Sequence, residues 1–436
     1  MDAILASTLD RTRSLFVGPR YVLSDTWSPS RLVHREEEVR QLTRILSHAC
    51  RGDRPANVLV YGLPGTGKTV VVTAVVDGVK RKAASSAPVT TVLVNCRDSN
   101  TTYGVLRTVV NSLRSEADKP LGQKLGTDVV IEEYRRLCKR LNGPLIVVLD
   151  EVDQLVKESG DAAIYSLLRP NEQRPDAGAS VVGVSNDLQF EQLLGARVRS
   201  RLNEQKVLFH RYTQPQLTDI LLDRAKLALS PSAYSEDVVQ LCALYAAQND
   251  GDARRAISLL RTAVQLAEKE GAGAVTPDHA KRSRFEVELD LIGATVKGLP
   301  LQVKVLLWAI LALTRHAERG RGKGDFSSGE VYEAYRHVCD RLGHEPATTR
   351  SVSNHLAELE TLGIIQSYII NRGRGGRTRD IRCAVPTYDT MRALAESEPH
   401  LFKVPHPGEA FTKGAPVQQS LDTLSKEPTV RAPVEN

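Results

Sequence analysis

Residues Gly62-Leu63-Pro64-Gly65-Thr66-Gly67-Lys68-Thr69 satisfy the phosphate-loop pattern at every required position, and no other stretch restricts the fold of this chain as tightly. An apolar run, Val58-Leu59-Val60-Tyr61, precedes the octet, and a helical stretch from Val70 to Val79 follows it. The glycines let successive backbone N–H groups turn inward onto anionic oxygens. The N-terminus of the following helix adds positive potential. Lys68 is expected to reach the β- and γ-phosphates of a nucleotide, the Thr69 hydroxyl to ligate Mg2+, and Val70 to complete the nucleotide contact. Further apolar runs at Val89 to Val94, Leu145 to Leu149 and Ser180 to Val184 alternate with helical segments. That alternation predicts a three-layer α/β domain built on a mainly parallel sheet.

In such a sheet, ligands lie beyond the carboxyl ends of the strands. Leu145 to Leu149 runs directly into Asp150-Glu151. Asp150 is placed to hold the Mg2+ shell and Glu151 to polarise an attacking water. Asp153 either joins this cluster or caps the next helix. Val184-Ser185-Asn186 is another strand with a polar end, so Asn186 can reach the γ-phosphate or the water. Arg197, Arg199 and Arg201 follow closely. An arginine on an outward turn can enter a neighbouring subunit's site, and Arg197 is the candidate. Gly251-Asp252-Ala253-Arg254 opens a later helix, with Asp252 as its cap and Arg254 free to project back toward the nucleotide.

Four regions are expected: 1–212, a helical leader and the α/β domain; 213–290, a small all-helical lid; 291–395, a winged helix; and 396–436, a flexible proline-rich tail. The winged helix reads as helices over Leu301 to Leu313, Ser328 to Leu342 and Thr349 to Leu362. A strand from Ile364 to Ile370, a Gly/Arg-rich turn from Asn371 to Arg379 and a strand from Ile381 to Val385 follow. Val352, Leu356, Leu359 and Leu362 pack inward, leaving Arg350, Ser351, Asn354 and His355 near the helix start that enters the major groove in helix-turn-helix proteins. In the turn, Arg372, Arg374, Arg377 and Arg379, with Arg382 beyond, crowd together among glycines. Arg315, His316, Arg319, Arg321 and Lys323 form a second basic loop. If about five phosphates are neutralised, log affinity should fall against log salt with a slope of roughly −4 to −5.

Bulk properties agree. A net charge of +6 gives a mild bias toward polyanions. Six widely spaced cysteines without a CxxC pair suggest neither zinc nor a disulfide framework, and a reducing cytoplasm fits them. Neither a signal peptide nor a membrane-length apolar run is legible, so a cytoplasmic, nucleoid-associated location is expected and no membrane partner.

Taken in order, GLPGTGKT, VLDEVD, GVSND, RVRSRL and GDARRA resemble AAA+ proteins, and more narrowly the archaeal initiators of the origin recognition complex / cell-division-control family. PSRLVHREEEV (Pro29 to Val39) and VNCRDSNTTY (Val94 to Tyr103) support the likeness, which covers residues from about 20 to 390. The resemblance implies that Gly62 to Thr69 is Walker A, Asp150 and Glu151 Walker B, Asn186 sensor 1, Arg254 sensor 2 and Arg197 the arginine finger. It implies that the segment around Pro29, His34 and Arg35 lies against adenine, and that Ser99 to Leu113 is an initiator helix touching DNA. A slow ATPase acting as a switch, double-stranded origin DNA, a replicative helicase and homo- or hetero-oligomers on DNA follow from it. Two rival classes share parts of the pattern. Signal-transduction NTPases that regulate transcription carry a long sensor region beyond the winged helix, where this chain has a short tail. Clamp-loader-like ATPases lack an arginine-rich wing.

Overall fold

The computed structural model describes residues 14–29, 31–83, 88–114, 121, 125–168, 179–202, 204–318, 324–371 and 377–403. The chain divides into two compact units, 1–284 and 285–436.

The leader is less helical than its periodicity suggests. Arg20–Leu23 makes one 3-10 turn, Glu36–Leu46 forms helix α1, and Ser47–Arg51 is again 3-10. The backbone of 14–27 is satisfied instead by the lid: Val17 N–H donates to Ala228 O (3.0 Å) and Leu15 N–H to Glu268 Oε1 (3.1 Å). The α/β domain then runs β1 (Val58–Gly62), α2 (Lys68–Lys82), β2 (Thr90–Asn95), α3 (Thr102–Leu113), α4 (Thr127–Arg140), β3 (Leu145–Asp150), α5 (Val152–Ser159), α6 (Ala162–Leu168), β4 (Ala179–Ser185), α7 (Ala196–Leu202) and β5 (Gln205–Phe209).

The five strands are parallel, in the order β2-β3-β4-β1-β5. Central β3 and β4 are buried along nearly their whole length, as helices on both faces of a parallel sheet demand. One core layer centres on Val105, Val109, Tyr134 and Leu155; the other on Leu42, Val72, Val76 and Phe209. Strand β5 adds a fifth member to the expected four. It lies at the edge and alternates, burying only Val207 and Phe209, so it has no continuous apolar run.

The lid is α8 (Gln214–Ala228), α9 (Glu236–Asn249) and α10 (Ala253–Lys269). A Thr213/Gln216 capping box starts the first of these helices and the Asp252 side chain caps the last. Helix α11 (Pro277–Gly298) is a single 22-residue helix, and the division between units falls inside it.

The second unit continues with α12 (Leu301–His316), β6 (Phe326–Ser327), α13 (Ser328–Leu342), α14 (Thr349–Thr361), β7 (Ile365–Asn371), β8 (Arg377–Cys383) and α15 (Thr387–Ser397). The three short strands form an antiparallel sheet in the order β6-β8-β7. Trp308, Tyr335, Val352, Leu356 and Leu359 join one core, giving a winged helix. Strand β8 starts four residues earlier than expected, because pairing with β7 runs up to Asn371↔Arg377. The packed chain also passes the expected tail boundary at 396: a 3-10 turn at Pro399–Lys403 buries Leu401 to 1% exposure. The tail beyond 403 lies outside the described residues. No helix of the described residues is long and apolar enough to cross a membrane.

Candidate nucleotide site and nucleic-acid face

Strand β1 delivers the glycine loop to the carboxyl edge of the sheet, and α2 begins at Lys68. Gly65 and Gly67 sit at φ +70° and +87°, a left-handed backbone that a Cβ would strain. Lys68 Nζ is turned onto its own loop, donating to Gly62 O (2.8 Å) and Leu63 O (2.7 Å). Burial lowers its pKa to about 8, with the nearby Arg254 cation adding to the fall and Asp150 opposing it. Thr66 is fully buried, and its hydroxyl donates to Leu63 O (2.8 Å).

Strand β3 brings Asp150 alongside. The Thr69 hydroxyl lies 3.1 and 3.0 Å from the two carboxylate oxygens of Asp150. Burial raises the Asp150 pKa, while hydrogen bonds from Thr69 and the Glu151 N–H oppose the rise. Glu151 takes φ +53°, one of two described non-glycine residues with positive φ, at the turn from β3 into α5. Asp153 is 2% exposed and accepts from Ser185 Oγ (3.2 Å) and Asn186 N–H (3.1 Å). It braces the end of β4 and so fixes where Asn186 stands.

The lid closes over this loop. Ala253 N–H, at the start of α10, donates to Gly65 O (3.2 Å). Asp252 accepts from Arg254 N–H (2.7 Å), and a Cβ on Gly65 would lie 1.7 Å from its carboxylate. The result is a cavity of about 370 Å3 whose wall includes Lys68, Thr69, Val70, Asp150, Glu151, Asn186 and Arg254. Six residues expected around the triphosphate are therefore brought together with Val70. Leader residues Trp27, Pro29, Leu32 and Val33 and lid residues Ile220 and Leu227 line the remainder, together with the charged Asp25, Arg31, Asp223, Arg224 and Lys226.

Arg35 and His34 have specific places in this arrangement. Arg35 is 4% exposed and donates to Thr66 O and the Tyr212 hydroxyl (both 3.0 Å), His210 O (2.7 Å) and Glu38 (2.7 Å), with Tyr212 beneath it at 3.9 Å. One of these acceptors, Thr66 O, belongs to the glycine loop, and Arg35 also lines the cavity. His34, at φ +62°, is paired through Nε2 with Asp219 Oδ2 of α8 (2.8 Å) and is absent from the cavity wall. Arg197 and Arg199 lie exposed on α7, away from this cavity; among the described residues their side chains have no polar partner.

Two contacts at the site had no legible signal in the sequence. Asp252 meets Gly65 and Tyr212 meets Arg35 across long sequence separations, so neither short pattern points to the other.

In the second unit, the Thr348 hydroxyl caps α14 by accepting from Ser351 N–H (3.3 Å). Arg350 and Asn354 are exposed, Ser351 and His355 half-buried, and His355 Nδ1 stands 3.8 Å from Glu358. Arg379 pairs with Glu360 of α14 and donates to Ser367 Oγ (2.8 Å). Arg382 makes a two-pronged pair with Asp325 (2.6 and 2.8 Å). Arg372, Arg374 and the side chain of Arg377 lie outside the described residues, as do Arg319, Arg321 and Lys323.

Three family models cover most of the chain: an AAA ATPase domain at 31–182, a Cdc6 AAA+ ATPase-type lid domain at 218–284, and the CDC6 C terminal winged helix domain at 294–393. An ORC1-type DNA replication protein of Pyrococcus abyssi is 41% identical over 88% of this chain and 91% of its own length. The chain belongs to the archaeal Cdc6/ORC1-type replication initiators. An ORC1-type DNA replication protein 1 of Sulfurisphaera tokodaii is 38% identical over 91% of this initiator and 97% of its own length. Among solved structures, the Aeropyrum pernix ORC1 protein in complex with DNA shares 37% identity with a TM-score of 0.78, covering 89% of this initiator and 98% of that chain. This initiator is thus a DNA replication protein with an AAA+ nucleotide-binding domain, a lid and a winged helix.

Proposed function

We propose that this initiator binds double-stranded origin DNA under the control of ATP, hydrolyses it slowly to ADP and phosphate, and helps recruit the replicative helicase. The observation that carries the reading is the seating of α10 on the glycine loop, with Arg254 and Lys68 on one cavity wall. A triphosphate there would touch the α/β domain through Lys68 and the lid through Arg254. Loss of the γ-phosphate would loosen the lid, and the nucleotide state would become a domain angle. Glu151 and Asn186 would orient the attacking water, and Arg197 of a neighbouring copy would reach the γ-phosphate in an oligomer on DNA.

The residues fit Mg2+. Thr69 and Asp150 present a hydroxyl and a carboxylate, both hard oxygen donors, at hydrogen-bonding distance from each other. The ion would supply charge neutralisation between the β- and γ-phosphates. Duplex DNA would be held by the start of α14, where Arg350 and Asn354 are exposed, by the arginines of the β7–β8 turn, and by α3 as the initiator helix. Adenine would lie toward the leader. Recruitment of a helicase rests on family membership.

Footprinting on origin repeats and on random duplex, with ATP, ADP or neither, tests the reading. The wild type should protect origin DNA in a pattern that depends on nucleotide. Lys68→Ala should lose that dependence, through an ATP affinity weakened on the order of 100-fold, while still binding DNA. Equal footprints in all three nucleotide states, or no preference for origin DNA, would overturn it.

A further inference from the structure

Glu151 and Asn186 share one cavity wall but follow different strands, β3 and β4. For both to address a single attacking water, their separation has to be held to within about 0.5 Å. The sheet does not do this. Pairing of β3 with β4 ends at Leu149↔Gly183, short of either residue. Something beyond the ladder must set the distance.

Helix α5 is placed to do so. Its N-cap is Glu151 itself, at φ +53°. From its first turn, the buried Asp153 carboxylate crosses to the end of β4 and accepts from Ser185 Oγ (3.2 Å) and Asn186 N–H (3.1 Å). One turn further along α5, Lys157 lies 2.9 Å from Asp187 Oδ2 and 3.8 Å from Asp153 Oδ2. That hydrogen bond from Lys157 holds Asp187 below the usual carboxylate range. Asp187 N–H donates back to Ser185 Oγ (3.0 Å), which closes the turn 185–187 on itself. Two successive turns of α5 therefore grip the residues on either side of Asn186, while the start of the same helix carries Glu151. Neither Asp153 nor Lys157 is on the cavity wall, so neither is placed to meet the ligand. A buried carboxylate is costly unless its oxygens are satisfied, and the partners of Asp153 include the N–H of Asn186.

We propose that Asp153 is a positioning residue, which sets Asn186 against Glu151 through α5 so that both side chains meet one water. The proposal rests on the hydrolysis reading above. It adds that the distance between the two water-holding groups is fixed by a helix rather than by the sheet, through a side chain that does not meet nucleotide. Displacing a reacting group by about 1 Å costs on the order of 100-fold in rate while leaving the binding of the charged ligand largely alone.

The test uses the full 436-residue chain. Single-turnover hydrolysis of ATP is measured beside ATP affinity by calorimetry and thermal unfolding. Asp153→Ala should slow hydrolysis between about tenfold and a hundredfold with ATP affinity within about threefold of wild type. Asp153→Asn keeps an oxygen that can accept from both donors and should restore most of the rate. The cycle with Asn186→Ala decides the route: if Asp153 acts through Asn186, adding Asp153→Ala to Asn186→Ala should cost little more. Ser185→Ala, which removes one of the two donors, carries the same cycle should the alanine variant at 153 not fold. Additive losses in the cycle, or hydrolysis by Asp153→Ala within twofold of wild type, would overturn the proposal and spare the nucleotide site. An ATP affinity that falls as far as the rate would show Asp153 to be a support of the fold alone, and would also sink it. A wild-type chain that binds ATP without hydrolysing it would refute the hydrolysis reading and this proposal together.

Discussion

The nucleotide cavity and the winged helix both gather cations, but they hold them differently. At the cavity, Lys68 is satisfied by backbone carbonyls, which a phosphate can displace without leaving an acid behind. In the winged helix, Arg379 and Arg382 are matched with Glu360 and Asp325. A carbonyl-held cation is kept for an anionic ligand. A carboxylate-held one is largely committed to the fold. Counting arginines in the sequence treats the two alike.

The comparison can be broken most sharply by pH. Burial puts free Lys68 near 8, below its ordinary value, and a bound triphosphate would raise it by favouring the ammonium. Below pH 8 the free site is already charged, so ATP affinity should be flat. Above it, binding must take up a proton. Affinity should therefore fall about tenfold between pH 7 and 9, and isothermal titration in buffers of different ionisation enthalpy should register the uptake. A flat profile to pH 9 would mean that the lysine is not seated as a desolvated cation.

The next effect lies in the winged helix. Arg350 is exposed at the start of α14, so Arg350→Ala should weaken origin binding several-fold and reduce the salt slope by about 1. The smallest effect belongs to Arg382→Ala. The salt slope should be unchanged and thermal stability should change little, because the Asp325 pair is largely exposed. A slope change equal to that of Arg350→Ala would show that this arginine leaves its carboxylate for DNA.

Much of the site was legible because its signals are local. The glycine loop, Asp150-Glu151, Asn186 and the Asp252–Arg254 helix start are short runs at strand or helix ends, and the structure brings them to one cavity. The fold class followed from strands alternating with helices. What escaped was tertiary. Strand β5 is an alternating edge strand that buries two side chains, and the leader takes its hydrogen bonds from a lid some 200 residues further on. Nor could spacing reveal that the guanidinium of Arg35 supports the loop through Thr66 O, or that Arg379 has an acid on the neighbouring helix.

Trp27 is fastened to the lid by Arg224, while Arg35, eight positions later, is fastened to the glycine loop. The backbone therefore crosses between the two bodies at that stretch and crosses again where β5 leads through Tyr212 into α8. A body joined at a single crossing can swivel in any direction; joined at two, it turns like a door on the line through both. Eight peptide steps reach about 27 Å at full extension, which sets a limit on how far that door can swing while both fastenings hold.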